Sequence, residues 1–485
     1  MTRKILILIL ILFSISTTAQ EEVLSFTEDD DTSSKRSKDG YSFSNTSNGD
    51  LAIVFMDRKN VFANLFDSNF KKIASINGKA LKRKYKNLLG YRINENKYEL
   101  LAANNSLNKF VVQVLDFGTG KTAIKKMKID LGKEEFIEVL HYKNDLLVIT
   151  ATKENQFVLR KLSDDFNFKE LKRFDIVAEE RDQKLLKSGF FTMGLFGGAT
   201  SNVTKVDNRV PNAIEQTAKA NKLYQSDNKI YLTIENEDEL VTTLHIIDLE
   251  SLTLSTKIYP YPKGNIDDFK AYNSFILEDK LLQMGSSPEE MKLVVKNFDN
   301  TIIKEFYLEK GVPIAIKNSP IIQEGRTMLP FQNRREMEKT SKFLRKVSSG
   351  NLGVTAYRKD DNYSFTIGGF KNVSNAGGGM MMMPGNFAGS TPITTSAGTV
   401  FIPTYNPILT SFNVYSSTKS TYFNTTLDQD FNYIKKEEES NIFDIIEDFK
   451  NEIRYNTADD YFFHNGELHF GYYNTKTKSY HLYKM

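Results

Sequence analysis

The sequence predicts an all-β protein, a β-propeller of about seven blades, each a three- to four-stranded antiparallel sheet. Three observations carry this. A turn recurs: Leu65-Phe66-Asp67-Ser68-Asn69-Phe70, then Leu162-Ser163-Asp164-Asp165-Phe166-Asn167, then Leu427-Asp428-Gln429-Asp430-Phe431-Asn432, with looser forms at Asp116, Asp248 and Asp299. The spacing is regular, 49 residues from Asp67 to Asp116, 49 again to Asp165, and 51 from Asp248 to Asp299. Each turn separates runs rich in Val, Ile, Leu, Phe and Thr, the pattern of strand, polar turn and strand. Asp and Asn suit such turns because their side chains bond the local backbone. One sheet of this kind exposes two apolar faces, and a ring of sheets covers both. The competing arrangement is a β-sandwich or two β-rich domains.

The elements follow in order. Thr2-Arg3-Lys4, the apolar run Ile5 to Phe13 and the small-residue stretch ending at Ala19 read as a secretory signal peptide over 1–19. The apolar run is shorter than the roughly 18–20 residues a membrane span needs, and no later stretch is apolar enough, so no transmembrane span is expected after cleavage. Residues 20–40 are a polar lead-in. Within it, residues 22–26 are expected to supply the outer strand that the last unit lacks, closing the ring and leaving no open edge.

The propeller is expected over 41–485, with units near 41–77, 90–130, 136–177, 220–260, 268–310, 341–440 and 441–485. Two insertions interrupt it, at 188–219 and 374–408, both long for connections in a compact domain. They carry apolar side chains on Gly-rich backbone: Phe190, Phe191, Met193, Leu195 and Phe196 in the first, Met380, Met381, Met382 and Met383 in the second. These nine are the expected contact residues, since Met adapts to irregular partners. Residues 330–347 are expected to form a helix on the ring, with Pro330 at its start and Met337, Leu344 and Val347 on one stripe. Lys79, Lys82, Arg83, Lys84 and Lys86 make a basic connector between the first two units.

Composition excludes more than it assigns. There is no Cys, which removes disulfides, thiolate nucleophiles and iron–sulfur clusters, and five His leave little for metal chemistry. The formal net charge of +3 is too balanced to imply nucleic acid. No cofactor is expected. The Asp428 turn partly matches a calcium loop, but Tyr433 stands where a Gly is needed. Four adjacent Met alternate faces in an extended chain, against a copper site. A weak metal candidate is the Asn465-Gly466 hairpin. It pairs 464 with 467 and 462 with 469, placing His464, Glu467 and His469 on one face. The acidic pairs Asp267-Asp268, Asp360-Asp361 and Asp459-Asp460 point to opposite sides of a strand and form no hydrolytic dyad by themselves. No nucleophile elbow, zinc-protease motif or phosphate loop occurs.

On the Thr-Thr-Ala-Gln leader ending, the absence of Cys and the repeat grammar, the chain resembles exported β-propeller-like proteins of Bacteroidota. That resemblance rests on no diagnostic motif and implies no functional residues. The expected function is a non-enzymatic binding or scaffold role toward a protein or cell-envelope partner, in the periplasm or at the cell surface. The alternative is a cell-envelope hydrolase acting on glycans with carboxylates in the central channel.

Overall fold

The computed structural model describes residues 20–27, 39–85, 87–105, 107–127, 134–152, 156–176, 203–324, 334–371, 393–395, 398–400, 404–415 and 420–485. Seven antiparallel sheets, taken in chain order, are blades I to VII of a propeller. Blade I comprises Asp39–Ser44, Leu51–Met56, Asn60–Phe66 and Lys72–Lys79. Blade II comprises Asn87–Asn94, Lys97–Ala103, Phe110–Asp116 and Lys121–Lys126; blade III, Glu135–Tyr142, Asp145–Ala151, Gln156–Leu162 and Phe168–Asp175. Blade IV comprises Asn221–Ser226, Lys229–Asn236, Val241–Asp248 and Thr253–Pro260; blade V, Ala271–Leu277, Lys280–Ser286, Glu290–Asn297 and Ile302–Glu309. Blade VI has Asn351–Lys359, Asn362–Phe370 and Ser420–Leu427 as its first three strands, and blade VII has Asn456–His464, Glu467–Asn474 and Ser479–Lys484. The outermost strand of blade VII is Glu21–Thr27, antiparallel to Ser479–Lys484, so the two ends of the described chain share one sheet.

The recurring aspartate motif is the turn that follows the third strand; in blades I, III and V it leads directly into the fourth, whereas in blade VI the fourth strand comes from upstream. In four blades the same backbone bonds close it: Phe70 N–H to Asp67 O, Phe166 to Ser163, Asn300 to Asn297 and Phe431 to Asp428. The donor residue is left-handed each time, with φ of 58°, 58°, 74° and 59°. This is a type I turn followed by a left-handed bulge residue. A Phe there costs roughly 1–2 kcal/mol of backbone strain, offset by packing. The ring of Phe431 is buried and stacks on Tyr363 at 5.1 Å.

Burial explains the ring. The first three strands of each blade are largely buried, whereas outer strands such as Lys121–Lys126 and Phe168–Asp175 are mostly exposed. Apolar clusters bridge neighbouring blades: I with II through Val54 and Leu100, II with III through Val112 and Val148, III with IV through Ile149 and Leu232. Another spans IV, V and VI through Leu244, Leu293 and Phe365, and a last joins VII to I through Leu482 and Phe55. The outer strands are Lys-rich, as in Lys121-Thr122-Ala123-Ile124-Lys125-Lys126, which discourages edge-to-edge pairing.

Among the described residues, four α-helices decorate the ring: α1 (Ile214–Thr217), α2 (Thr340–Val347), α3 (Pro407–Tyr415) and α4 (Ile442–Glu452). Of the expected helix over 330–347, Pro330 and the residues to 333 lie outside the described residues, and over 334–347 the helix is corrected to α2 alone. Arg334–Met337 is instead a strand, paired with Ile321–Glu324, and these two complete blade VI from upstream of its first strand. Pairing satisfies that backbone, and the stripe that buries the shortened helix is Thr340, Phe343, Leu344 and Val347. Helix α4 starts with a capping box in which Asn441 accepts from Phe443 N and Asp444 N while Asp444 accepts from Asn441 N. Phe412 of α3 and Phe443 of α4 pack with Tyr461 and Phe470, covering the face of blade VII turned away from blade I.

Antiparallel order sorts the connections into two faces. First-to-second and third-to-fourth hairpins lie on one, here the turn face. Second-to-third connections and blade-to-blade crossings lie on the other, the crossover face. Residues 177–202 cross from blade III to blade IV and residues 371–419 join the second and third strands of blade VI, so both departures are on the crossover face.

Candidate functional site

In a propeller the first strands of the blades enclose a central channel. Here the chain's own segments enter it. Val203–Lys205 runs parallel to Asn221–Ser226 as an added innermost strand of blade IV, and the chain returns through α1. At the bottom of this excursion, near the turn face, Asn208 Nδ2 donates to Ile276 O at 3.0 Å. Residues Thr404 to Tyr415 form a second inward segment, and Ser411 Oγ donates to Asn212 Oδ1 at 2.9 Å, tying the two together. Gly353 allows this approach, since a Cβ there would lie 2.9 Å from Ile214 O.

Buried polar groups hold both segments. Asp460 on the first strand of blade VII accepts from Asn406 Nδ2 at 2.7 Å, from its neighbour Tyr461 N at 3.0 Å and from Tyr405 Oη at 3.3 Å. Tyr405 in turn packs on Tyr41 and Phe43 of blade I, with ring centroids 5.8 and 5.5 Å away. Burial pushes the Asp460 carboxyl up to about 7, although Ser42 and Tyr405 favour its charged form. Burial likewise raises Asp39, at the start of blade I, to about 6. Across the channel Lys205 Nζ donates to Val139 O at 2.8 Å, and its charge acts on Glu138, which burial lifts to about 7. His141, whose ring is tilted against Tyr91 with centroids 4.6 Å apart, is held down to about 3 by burial and by the Lys205 charge. Asp207 binds Arg209 in a two-point fork at 2.9 and 2.7 Å, and the Arg209 guanidinium lies 4.1 Å from the Phe463 ring centroid.

Chemically, these carboxylates are anchors. The bonds from Asn406, Tyr405 and Tyr461 all converge on Asp460 Oδ1, tying that oxygen to the inward segment, and Glu138 accepts from Val139 N at 2.9 Å beside a buried ammonium. Asp459, its sequence neighbour, points the other way and pairs with Lys450 of α4 at 2.8 Å.

The nine expected contact residues, Phe190, Phe191, Met193, Leu195, Phe196 and Met380 to Met383, lie outside the described residues. The metal candidates are described. His464 pairs with Glu467 and Phe462 with His469 in the hairpin register, and the two imidazoles are brought together at 5.7 Å between centroids. Glu467 is not brought in: it is exposed and its carboxylate is bonded to Lys484. His464 Nδ1 is 2.8 Å from Ser44 Oγ, and His469 Nδ1 is 3.0 Å from Glu467 O. The rings instead flank Phe70 of blade I, at 5.6 and 6.2 Å. Among the described residues no group of three or more His, Cys, Asp or Glu is placed to hold a metal ion. The Asp428 carboxylate is spent on its own turn, accepting from Asp430 N at 2.9 Å and Asn432 N at 2.7 Å.

Sequence reasoning named Asp460 only as half of the Asp459-Asp460 pair, without its buried role, and missed Glu138, Lys205, Asp207, Tyr405 and Asn406. The available signal was an acidic residue inside an apolar first strand, as in Ala458-Asp459-Asp460-Tyr461-Phe462, since an unpaired charge is not buried without a partner.

The sequence matches no protein-family model and no curated protein. Among solved structures, the chain is similar to the Dos1 propeller at 8% identity, over 96% of this chain and 95% of that one, with a TM-score of 0.29. It is similar to Synechocystis apocarotenoid oxygenase at 8% identity and a TM-score of 0.28, over 61% of this chain and 64% of the oxygenase, under two thirds of that protein's length. A neuraminidase-like protein of A/little yellow-shouldered bat/Guatemala matches at 9% identity and a TM-score of 0.26, over 72% of this chain and 95% of that one. Likeness at this level adds nothing to the fold already read from the strand pairing.

Proposed function

We propose that the chain is an exported, non-enzymatic binding scaffold that meets a protein or cell-envelope partner on its crossover face. The observation that carries this reading is the occupied channel. The C-terminal parts of the two insertions, 203–219 and 404–408, are pinned inside the ring by Lys205 beside Glu138 and by Asn406 on Asp460. Both insertions depart from the crossover face and end in anchored segments, and their Phe- and Met-rich sequence suits adaptable apolar contact. Asp460, the carboxylate bonded to the inward segment, serves there as an anchor through Oδ1. The leader sequence and the resemblance to exported propeller proteins of Bacteroidota support the periplasm or cell surface.

The test is capture from envelope extract by the tagged chain from Gln20, compared with variants lacking 180–200 or 374–400. Both deletions spare the anchored segments, and thermal unfolding checks each fold. Loss of specific captured species with either deletion is the expected result. Unchanged capture by both variants removes the insertions from the function, and glycan hydrolysis abolished by Asp460→Asn establishes the hydrolase instead.

A further inference from the structure

The near-neutral chain is not neutral locally. On the crossover face, blades I and II expose Arg58 and Lys59 in the second-to-third connection of blade I, then Lys82, Arg83 and Lys84 in the crossing, then Lys125 and Lys126 at the end of blade II. Backbone contacts make these one strip. Ala80 N donates to Lys59 O at 2.8 Å, and Gln113, which pairs with Ile124, donates to Lys79 O at 2.9 Å. The acid inside the strip, Asp57, accepts from the backbone of Lys59 and Asn60 at 2.6 and 2.7 Å.

On the same face, blades IV and V expose the opposite sign. Glu237, Asp238 and Glu239 lie in the second-to-third connection of blade IV, and Asp267 and Asp268 in the crossing to blade V. Lys263 and Lys270 flank them without cancelling them. Within this sector stand three exposed aliphatic side chains, Leu240 at 49%, Ile266 at 58% and Val312 at 51% exposure. Tyr261 N donates to Leu240 O at 2.8 Å, and Glu290 Oε1 accepts from Ile266 N and Asp267 N at 2.6 and 2.9 Å, so these connections are neighbours.

We infer that the crossover face is self-complementary and that two copies of this chain pair through it face to face. Seven blades repeat at about 51° around the ring. A two-fold axis lying in the face along the radius of blade III carries blades I and II onto blades V and IV. Each basic strip then meets the partner's acidic sector, twice in one closed dimer, as an isologous interface requires. The aliphatic stems of Lys and Arg fit over Leu240, Ile266 and Val312 while their heads reach the surrounding carboxylates. Exposed ion pairs are individually weak and screened by salt, so the dimer is salt-sensitive. The inference does not rest on the scaffold reading. Where both hold, dimer and partner compete for one face.

Sedimentation velocity on the chain from Gln20 tests it, at about 0.02 M and about 0.5 M salt, where the screening length differs several-fold. The basic-strip variant is Lys82→Glu with Arg83→Glu and Lys84→Glu; the acidic-sector variant is Glu237→Lys with Asp238→Lys and Asp268→Lys. The wild type is expected to dimerise at low salt and weaken at least about tenfold at high salt. Each variant alone is expected to be monomeric with an unchanged melting curve. An equimolar mixture of the two variants is expected to recover the dimer, because every basic sector again faces an acidic one. A monomeric wild type at low salt, variants that dimerise like the wild type, or a mixture that stays monomeric overturns the inference.

Discussion

Replacing Asp460 by Asn is expected to stabilise the protein at alkaline pH and to leave it unchanged in acid. The folded carboxyl sits at about 7 rather than its ordinary 3.8 because it is buried. Between these values the folded chain keeps a proton that the unfolded chain releases, so stability falls as pH rises through that window. At about 1.4 kcal/mol per tenfold, the full cost of the buried charge is about 4 kcal/mol above pH 7, an upper bound. In the Asp460→Asn variant the side-chain amide oxygen can still accept from Asn406 Nδ2 and Tyr461 N, now without a charge to bury. Urea unfolding of both proteins from pH 4 to pH 8 measures the difference directly. The gap is expected to open steadily with pH and to reach a few kcal/mol in favour of the variant. A gap that stays flat with pH, or a variant less stable than the wild type at pH 8, refutes the assignment of Asp460 as a desolvated anchor.

Removing its partner instead, by Asn406→Ala, leaves a buried carboxylate short of a donor and is expected to cost about 1–3 kcal/mol in urea unfolding at pH 7. Gly471→Ala drives a methyl into the Tyr480 hydroxyl; overpacking of about 1–3 kcal/mol is expected, read as a lower melting temperature. Phe26 of the closing strand lies 5.1 Å from Phe66 and 5.5 Å from Tyr480. Phe26→Ala is expected to speed hydrogen exchange selectively in Ser479–Lys484, where loosening the outer strand frees the ladder. Asp67→Ala removes acceptors for Asn69 N and Lys71 N at 2.9 and 3.0 Å, a loss of about 1 kcal/mol in denaturant unfolding.

How much was legible in advance depended on whether the cause was local. The Asp67 and Asp428 turns, and the Ser163 turn whose hydroxyl bonds Asn167 O, were readable because a side chain bonding its own backbone two to four residues away leaves a fixed motif. The His464–Asn465–Gly466–Glu467 register was readable for the same reason: two positive φ angles at Asn465 and Gly466 set the pairing. The helix over 330–347 was overextended because Arg334–Met337 finds its hydrogen-bond partners in Ile321–Glu324, which no periodicity within the segment announces. Glu467 left the histidine pair because Lys484, from another strand, offered a better bond.

By itself, the sequence determined the repeat. Alternating apolar strands with aspartate turns at near-constant spacing cannot hide both faces alone, and that constraint acts within each unit wherever the unit sits. The tertiary structure alone decided what fills the ring and how charge is distributed over it. Asp460 meets Asn406 across 54 residues and Ser411 meets Asn212 across 199. Arg58 and Lys126 share a sector that a net charge of +3 conceals. Burial and charge proximity are set by which distant strands become neighbours, and closing the ring fixes that choice.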